Sequence, residues 1–317
     1  MEIKKALPEV RENVSLAQYT TIKIGGSARY FFIAENKEEL IKAIKAAKEN
    51  DLPFFIMAGG SNLLFSDEGF NGLVVKCQMS DAECRGEEII AQAGARLDDL
   101  VKLSREKELT GLEWAAGIPG TIGGAVYGNA QAFGAKMSDI VKNVEALDIK
   151  SLEVKNLSKE ECSFSSKNSV FKKAKNLIIL SVVLELKKGD KKEIVEQVKK
   201  FMSYRKEKHP LNFPSAGSVF VNPEIAVKDI ELLKKFPELK EMSGKKVIHS
   251  GYLIEKCGLK GRRIGNAQVS EKHANFIVNL GGAKAKDVLE LIELIKREVK
   301  DKFEILLKKE IQIISSD

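Results

Sequence analysis

The spacing of apolar positions changes several times along the chain, and each change marks an element. Residues 28–33 read as a strand, and from 37 to 50 the residues Leu40, Ile41, Ile44 and Ala47 recur on one helical stripe. Asp51-Leu52-Pro53 ends that helix, and the apolar run Phe54-Phe55-Ile56-Met57 predicts a short buried strand feeding a glycine turn. The result is a β-α-β-loop unit. Further strands are predicted over 88–93, 141–149 and 177–186, with a helix over 97–107. Alternation is too irregular for a Rossmann sheet, so the pattern predicts an α+β fold. Near the C-terminus, Val288, Leu291, Ile292, Ile295 and Val299 follow helical spacing behind Asp287 as a cap. Beyond Phe303 the period becomes two. Ile305, Leu307, Ile311 and Ile313 share one face, and Lys308, Glu310 and Gln312 the other.

A chain of 317 residues can bury roughly three quarters of its unfolded surface and can form two or three domains. The stretch Lys187-Lys188-Gly189-Asp190, charged and glycine-bearing, reads as the linker. Hydrophobic residues make up 44% and charged residues 31%, with no apolar run long enough to span a bilayer and no apolar leader, so a soluble, cytoplasmic protein is expected. Four cysteines form no CxxC pair, and His209, His249 and His273 show no metal or triad spacing; reduced thiols and structural histidines are expected, without a metal. The net charge of +7 is spread over Lys/Glu helix surfaces and not gathered with aromatics, which argues against nucleic acid as a partner and suits attraction of a small polyanion such as a nucleotide.

Two glycine loops carry the candidate chemistry. Ala58-Gly59-Gly60-Ser61-Asn62 and the run Gly117-Ile118-Pro119-Gly120-Thr121-Ile122-Gly123-Gly124-Ala125 place small residues beside hydroxyls, so backbone N–H groups can close on a diphosphate. A single Gly-Gly pair is more often a plain turn. The first loop lacks G-x-G-x-x-G and a following acidic residue in register, so a dinucleotide-binding fold other than Rossmann is implied.

Five segments occur in an order that resembles the UDP-N-acetylenolpyruvoylglucosamine reductases: Thr20-Thr21-Ile22-Lys23-Ile24-Gly25-Gly26, Gly59-Gly60-Ser61-Asn62-Leu63-Leu64, the 117–125 run, Ala216-Gly217-Ser218-Val219-Phe220, and Gly258-Leu259-Lys260-Gly261. Val269-Ser270 and His273-Ala274-Asn275-Phe276-Ile277-Val278-Asn279 extend the similarity to nearly the whole chain. The resemblance implies an FAD-binding fold of the vanillyl-alcohol oxidase-like (PCMH) type in two subdomains split near residue 75, over 1–188. An α+β substrate-binding domain over 189–303 would follow, and a C-terminal strand, 304–317, would contribute Glu310. It implies noncovalent FAD, NADPH as reductant, and reduction of the enolpyruvyl ether of UDP-N-acetylglucosamine to UDP-N-acetylmuramate in peptidoglycan precursor synthesis. A monomer of the compact type, acting on a UDP-sugar away from membranes, is expected.

By the same resemblance, Thr21, Gly25, Gly26, Ala58, Gly59, Gly60, Ser61, Asn62, Gly117, Pro119, Gly120, Thr121, Gly123, Gly124, Ala125 and Asn129 bind the cofactor. Ser218 is the proton donor, Glu310 its carboxyl partner, and Asn222, Arg205, Lys260 and Asn275 lie on the substrate side. Four departures stand out. Lys167 falls where the family has its catalytic arginine, and a lysine cannot form arginine's planar two-pronged contact. Val221 replaces a usual lysine, Gln131 another glycine, and Ala58 a glycine, where a requirement for positive φ would strain the backbone. Lys167 and Val221 leave open a flavin-binding relative with weakened or lost reductase activity, and an oxidase of the same fold is a further alternative, although no histidine stands at either glycine loop to suggest covalent flavin.

Overall fold

A computed structural model of the chain describes residues 3–223, 230–239 and 248–315. They fall into two compact units that interleave in sequence: Met1–Val14, Ala28–Gly60 and Phe70–Glu207 form one, and Ser15–Ser27, Ser61–Gly69 and Lys208–Asp317 the other.

In the first unit, helix α1 (Ile3–Ala6) and strand β1 (Arg11–Ser15) precede β2 (Ser27–Ala34), α2 (Lys37–Glu49) and β3 (Phe54–Met57). Helix α2 starts where the sequence predicts. Asn36 accepts the Glu39 N–H at 2.9 Å, satisfying a first-turn donor, while the Glu39 carboxylate accepts the N–H of Glu35, just ahead of the cap, at 2.8 Å. Its stripe Leu40, Ala43, Ile44 and Ala47 is fully buried, and Asp51, at φ 50°, turns the chain out of the helix ahead of Pro53. Strand β5 (Phe70–Cys77) lies between β2 and β3 and runs parallel to both, which the α2 crossover permits.

A second, antiparallel sheet has the order β12 (Glu153–Ser158), β11 (Val141–Asp148), β13 (Leu177–Glu185), β7 (Glu88–Gln92) and β6 (Ala82–Arg85). One core joins the two sheets, running from Leu40 and Ile44 through Leu73 and Val75 to Ile89, Val144 and Leu184. Helices α3 (Leu97–Glu106), α4 (Ile122–Tyr127), α5 (Val170–Ala174) and α6 (Lys191–Lys208) complete the unit, with the short pairs β9 (Gln131–Ala132) with β10 (Ala135–Lys136) and β8 (Leu109–Thr110) with β14 (Lys187–Lys188). The stretch read from sequence as a linker is thus the β14 edge, paired through Lys187 with Thr110, and α6 behind it stays with the first unit as far as Glu207.

The second unit is built on the sheet β15 (Ser215–Ser218), β18 (Phe276–Asn279), β17 (Ala267–Val269) and β16 (Arg263–Ile264). Helices α7 (Ile230–Lys235), α8 (Ser250–Lys256) and α9 (Ala285–Phe303) accompany it. The predicted stripe of α9, Val288, Leu291, Ile292, Ile295 and Val299, is buried in the same apolar cluster as Ile22, Ile24 and Leu64. Asp287 sits inside the helix and not at its cap, where its carboxylate accepts the Lys284 N–H at 3.0 Å. Asp67, more than two hundred residues away in sequence, takes the N–H groups of Ala285 and Lys286 at 2.8 and 3.0 Å.

The C-terminal alternation is correct in burial but not in pairing. Ile305, Leu307 and Ile311 are buried, yet regular strand is confined to β19 (Gln312–Ile314), parallel to β4 (Leu63–Phe65). The segment changes partner partway. Lys308 and Glu310 bond to Val221 and Val219, and from Gln312 onward the bonds go to Asn62 and β4, so no single ladder forms.

Candidate active site

Each unit gathers part of the residue set expected from sequence. In the first, the two glycine loops meet. A Cβ on Gly59 would lie 3.1 Å from the Gly120 Cα, so a side chain there would crowd the second loop's backbone. Thr121 caps α4, its hydroxyl accepting the Gly124 N–H at 3.4 Å. Gly123 seats that helix on β7, because a Cβ there would stand 2.9 Å from the Ala93 carbonyl oxygen. Ala58 takes no positive φ; the left-handed residue of that turn is Gly60, at φ 62°, so the alanine at 58 is accommodated without strain.

Asn129 is buried at φ 43° and braces two segments. Its amide donates to the Ser165 carbonyl at 3.0 Å, and its side-chain oxygen accepts the Ser138 N–H at 3.0 Å. The first of these bonds brings in the turn of Lys167, where Ser165 and Asn168 exchange backbone hydrogen bonds and Lys167 sits at φ 54°. Ser169, just beyond, donates to the Tyr127 carbonyl at 2.7 Å. The lysine turn and the end of the second glycine loop are therefore fastened together. Arg205 also belongs to this unit, buried, with its guanidinium on the carbonyls of Trp114 and Ala116.

In the second unit, Thr21 donates to the Ser215 carbonyl at 2.7 Å, tying the 20–26 segment to the start of β15. Gly25 and Gly26 abut the turn after β4, and a Cβ on Gly26 would fall 2.2 Å from the Asp67 carbonyl oxygen, so close packing dictates that glycine. Ser218 ends β15 opposite Phe276, beyond a register shift, and Gly217 before it adopts φ 75° with open space where a side chain would stand. Glu310 is delivered to the same place. Its N–H donates to the Val219 carbonyl at 2.8 Å, and its own carbonyl accepts from Asn62 Nδ2 at 3.1 Å. Asn62, Ser218 and Glu310, spread over 248 residues of sequence, thus share one strand end.

The substrate-side residues divide. Asn275 spends its side chain on Phe220, accepting that N–H at 3.0 Å and donating to that carbonyl at 2.8 Å, in the manner of a strand partner. Asn222 accepts the Ser250 N–H at 3.0 Å and stands 3.4 Å from His249 Nδ1. Lys260 pairs with Glu255 at 2.9 Å. One grouping was not evident from spacing: the His209 and His273 rings pack edge to face at 5.6 Å, both against Phe276. Burial pushes the His273 pKa down, with Lys260 and His249 acting the same way, and its Nδ1 accepts the Asn275 N–H at 3.2 Å, a bond that requires the neutral ring. Aromatic neighbours far apart in sequence, not metal-type intervals, are what bring these histidines together.

The glycine loops suit a diphosphate-bearing cofactor. No described residue accepts the backbone N–H of Gly59, Gly60 or Gly120, although Gly60 is buried, and buried N–H groups are normally paired. Such donors on touching loops are the equipment of an anion nest. The groove between α1 and α2, lined by Ala6, Ile41, Lys42 and Lys45 among others, contains none of the expected site residues.

Comparison with known proteins agrees with this geometry. Residues 28–155 match the FAD binding domain family, and residues 209–314 match the C-terminal domain family of UDP-N-acetylenolpyruvoylglucosamine reductase. The reductase of Alkaliphilus oremlandii is 40% identical over 99% of this chain and 97% of its own length, and that of Bacillus subtilis is 38% identical over 99% and 97%. The crystal structure of the Thermus caldophilus reductase superposes with a TM-score of 0.75 at 32% identity, covering 96% of this chain and 98% of that one. With relatives 40% identical over nearly the full chain, an FAD binding domain match over 28–155 and the reductase C-terminal match over 209–314, this chain belongs to the UDP-N-acetylenolpyruvoylglucosamine reductase family and is an FAD-dependent oxidoreductase.

Proposed function

We propose that the chain reduces the enolpyruvyl ether of UDP-N-acetylglucosamine to UDP-N-acetylmuramate with NADPH, as a cytoplasmic monomer holding FAD noncovalently. The observation that carries this reading is the convergence of Ser218, Glu310 and Asn62 at one strand end through the Glu310–Val219 and Asn62–Glu310 hydrogen bonds. Among the described residues no helix is long and apolar enough to cross a membrane.

When bound, FAD would supply the hydride chemistry for reducing the outer carbon of the enol ether at the expense of NADPH. Negative charge then builds beside the substrate carboxylate. Ser218 gives its proton to the carbon bearing that carboxylate, and the Glu310 carboxyl group, acting in its protonated form, donates a hydrogen bond to the developing enolate from a backbone pinned at both its N–H and its carbonyl. A serine hydroxyl is a weak acid, so it depends on such a partner. Asn222 meets the substrate diphosphate, and Lys167 pairs with a carboxylate in place of the family's arginine. NADPH consumption that requires the enolpyruvyl sugar nucleotide supports the proposal. NADPH oxidation indifferent to that substrate contradicts it.

Lys167 motivates a second reading, a flavoprotein with weakened turnover, because its place at the tip of a left-handed turn offers one ammonium where two parallel donors are expected. Lys167→Arg is expected to raise kcat about tenfold, the gain from one better-oriented charged contact. Steady-state kinetics decide: unchanged or lower turnover removes Lys167 from the catalytic set.

A further inference from the structure

The peptide between Ala116 and Gly117 is gripped at both polar ends. Its carbonyl accepts from Arg205 Nε at 2.8 Å, and its N–H donates to Asp98 Oδ1 at 2.8 Å. The other arm of the guanidinium, Nη2, donates to the Trp114 carbonyl at 3.0 Å. Its face lies 5.0 Å from the centre of the Phe133 ring, which is itself stacked on Phe201 at 4.3 Å. Phe133 sits between β9 and β10, just beyond Asn129 and Gln131. One side chain thus ties together the entry to the second glycine loop and the hairpin that follows it.

Arg205 is only 7% exposed, and burying a guanidinium is costly unless its donors are used. Burial pushes its pKa down while Asp98 acts in the opposite sense, and an arginine remains charged under either influence. The benefit of keeping it there is local. Gly117 adopts φ 71°, and a glycine can take either sign of φ at little cost, so the preceding peptide plane is free to turn over unless something holds it. Asp98 and Arg205 hold the two ends of that plane. Arg205 lies outside both matched domain stretches, 28–155 and 209–314.

We propose that Asp98 and Arg205 form a clamp on the Ala116–Gly117 peptide that presets the second glycine loop for FAD. Arg205 is then a positioning residue of the cofactor site and not a substrate contact. The inference rests on the reading of that loop as an FAD loop. A loop already in its bound shape does not lose conformational freedom when FAD arrives, so loss of the clamp appears mainly as weaker cofactor binding.

The test is titration of FAD into full-length apoprotein prepared by flavin removal, followed by the visible circular dichroism of the bound flavin. Arg205→Lys keeps the charge but loses the two-carbonyl fork, and Asp98→Ala frees the N–H; each is expected to raise the Kd for FAD at least about tenfold and to alter the dichroism. Because both act on one peptide, the double variant should bind little worse than the weaker single variant. A purely structural role would lower the thermal midpoint of the apoprotein and leave Kd and dichroism unchanged. That outcome in both folded single variants overturns the clamp. Wild-type protein that fails to bind FAD would contradict the FAD reading itself, a separate failure.

Discussion

Ser218→Ala is expected to slow reoxidation of the reduced enzyme by the enolpyruvyl sugar nucleotide about 10²–10⁴-fold, the usual contribution of a positioned proton donor, while reduction by NADPH proceeds at the wild-type rate. The asymmetry follows from where the proton is needed: only the substrate half of the cycle creates a carbanion. The fold should tolerate the change, since Ser218 is held through its strand register opposite Phe276 and through the neighbouring Val219 N–H to Asn275 carbonyl bond of 2.8 Å, both backbone features that alanine retains. Stopped-flow measurement of the two half-reactions separates the cases. Equal loss in both halves would point to a disturbed cofactor site, and no loss in either would remove the serine from the chemistry.

Glu310→Gln carries the second large effect, a fall of about 10²-fold or more in the same half-reaction, since the amide has nearly the shape of the carboxyl group but is not an acid that can share a proton with Ser218 and the enolate. Position is preserved because what fixes this residue is main chain: its N–H on Val219, its carbonyl under Asn62, and the Phe220–Lys309 bridge beside it. The single-turnover rate with pre-reduced enzyme is the measurement. Combining the two substitutions should cost much less than the product of the separate losses, because groups that act as one unit are not independent. Multiplicative losses would mean that Glu310 works elsewhere.

Local periodicity carried a good deal of this structure. The stripes of α2 and α9 and the strands β2, β3, β7, β11 and β13 emerge from apolar spacing because each depends on residues a few positions apart, whereas β1, β5, β6 and β12 of the same sheets gave no such signal. The glycine loops were legible for the same reason, as a run of residues without side chains. What spacing could not show are contacts that close over long stretches of chain. Asp67 satisfies the first turn of α9, Asn62 meets Glu310, and residues 15–27 and 61–69 pack with the C-terminal unit, none of which leaves a local signature. Arg205 illustrates the limit well. In sequence it is one of many cations on a charged helix, and only the fold reveals that its donors are turned onto the backbone of the 114–117 segment.

The claim that this chain is a flavin reductase of enolpyruvyl sugar nucleotides is tested most directly by following the flavin absorbance of purified protein under anaerobic conditions. NADPH should bleach the yellow protein, and one equivalent of UDP-N-acetylglucosamine enolpyruvate should restore the colour with formation of UDP-N-acetylmuramate. Colourless protein that takes up no added FAD, or a bleached flavin that stays bleached when the sugar nucleotide is added, would contradict it.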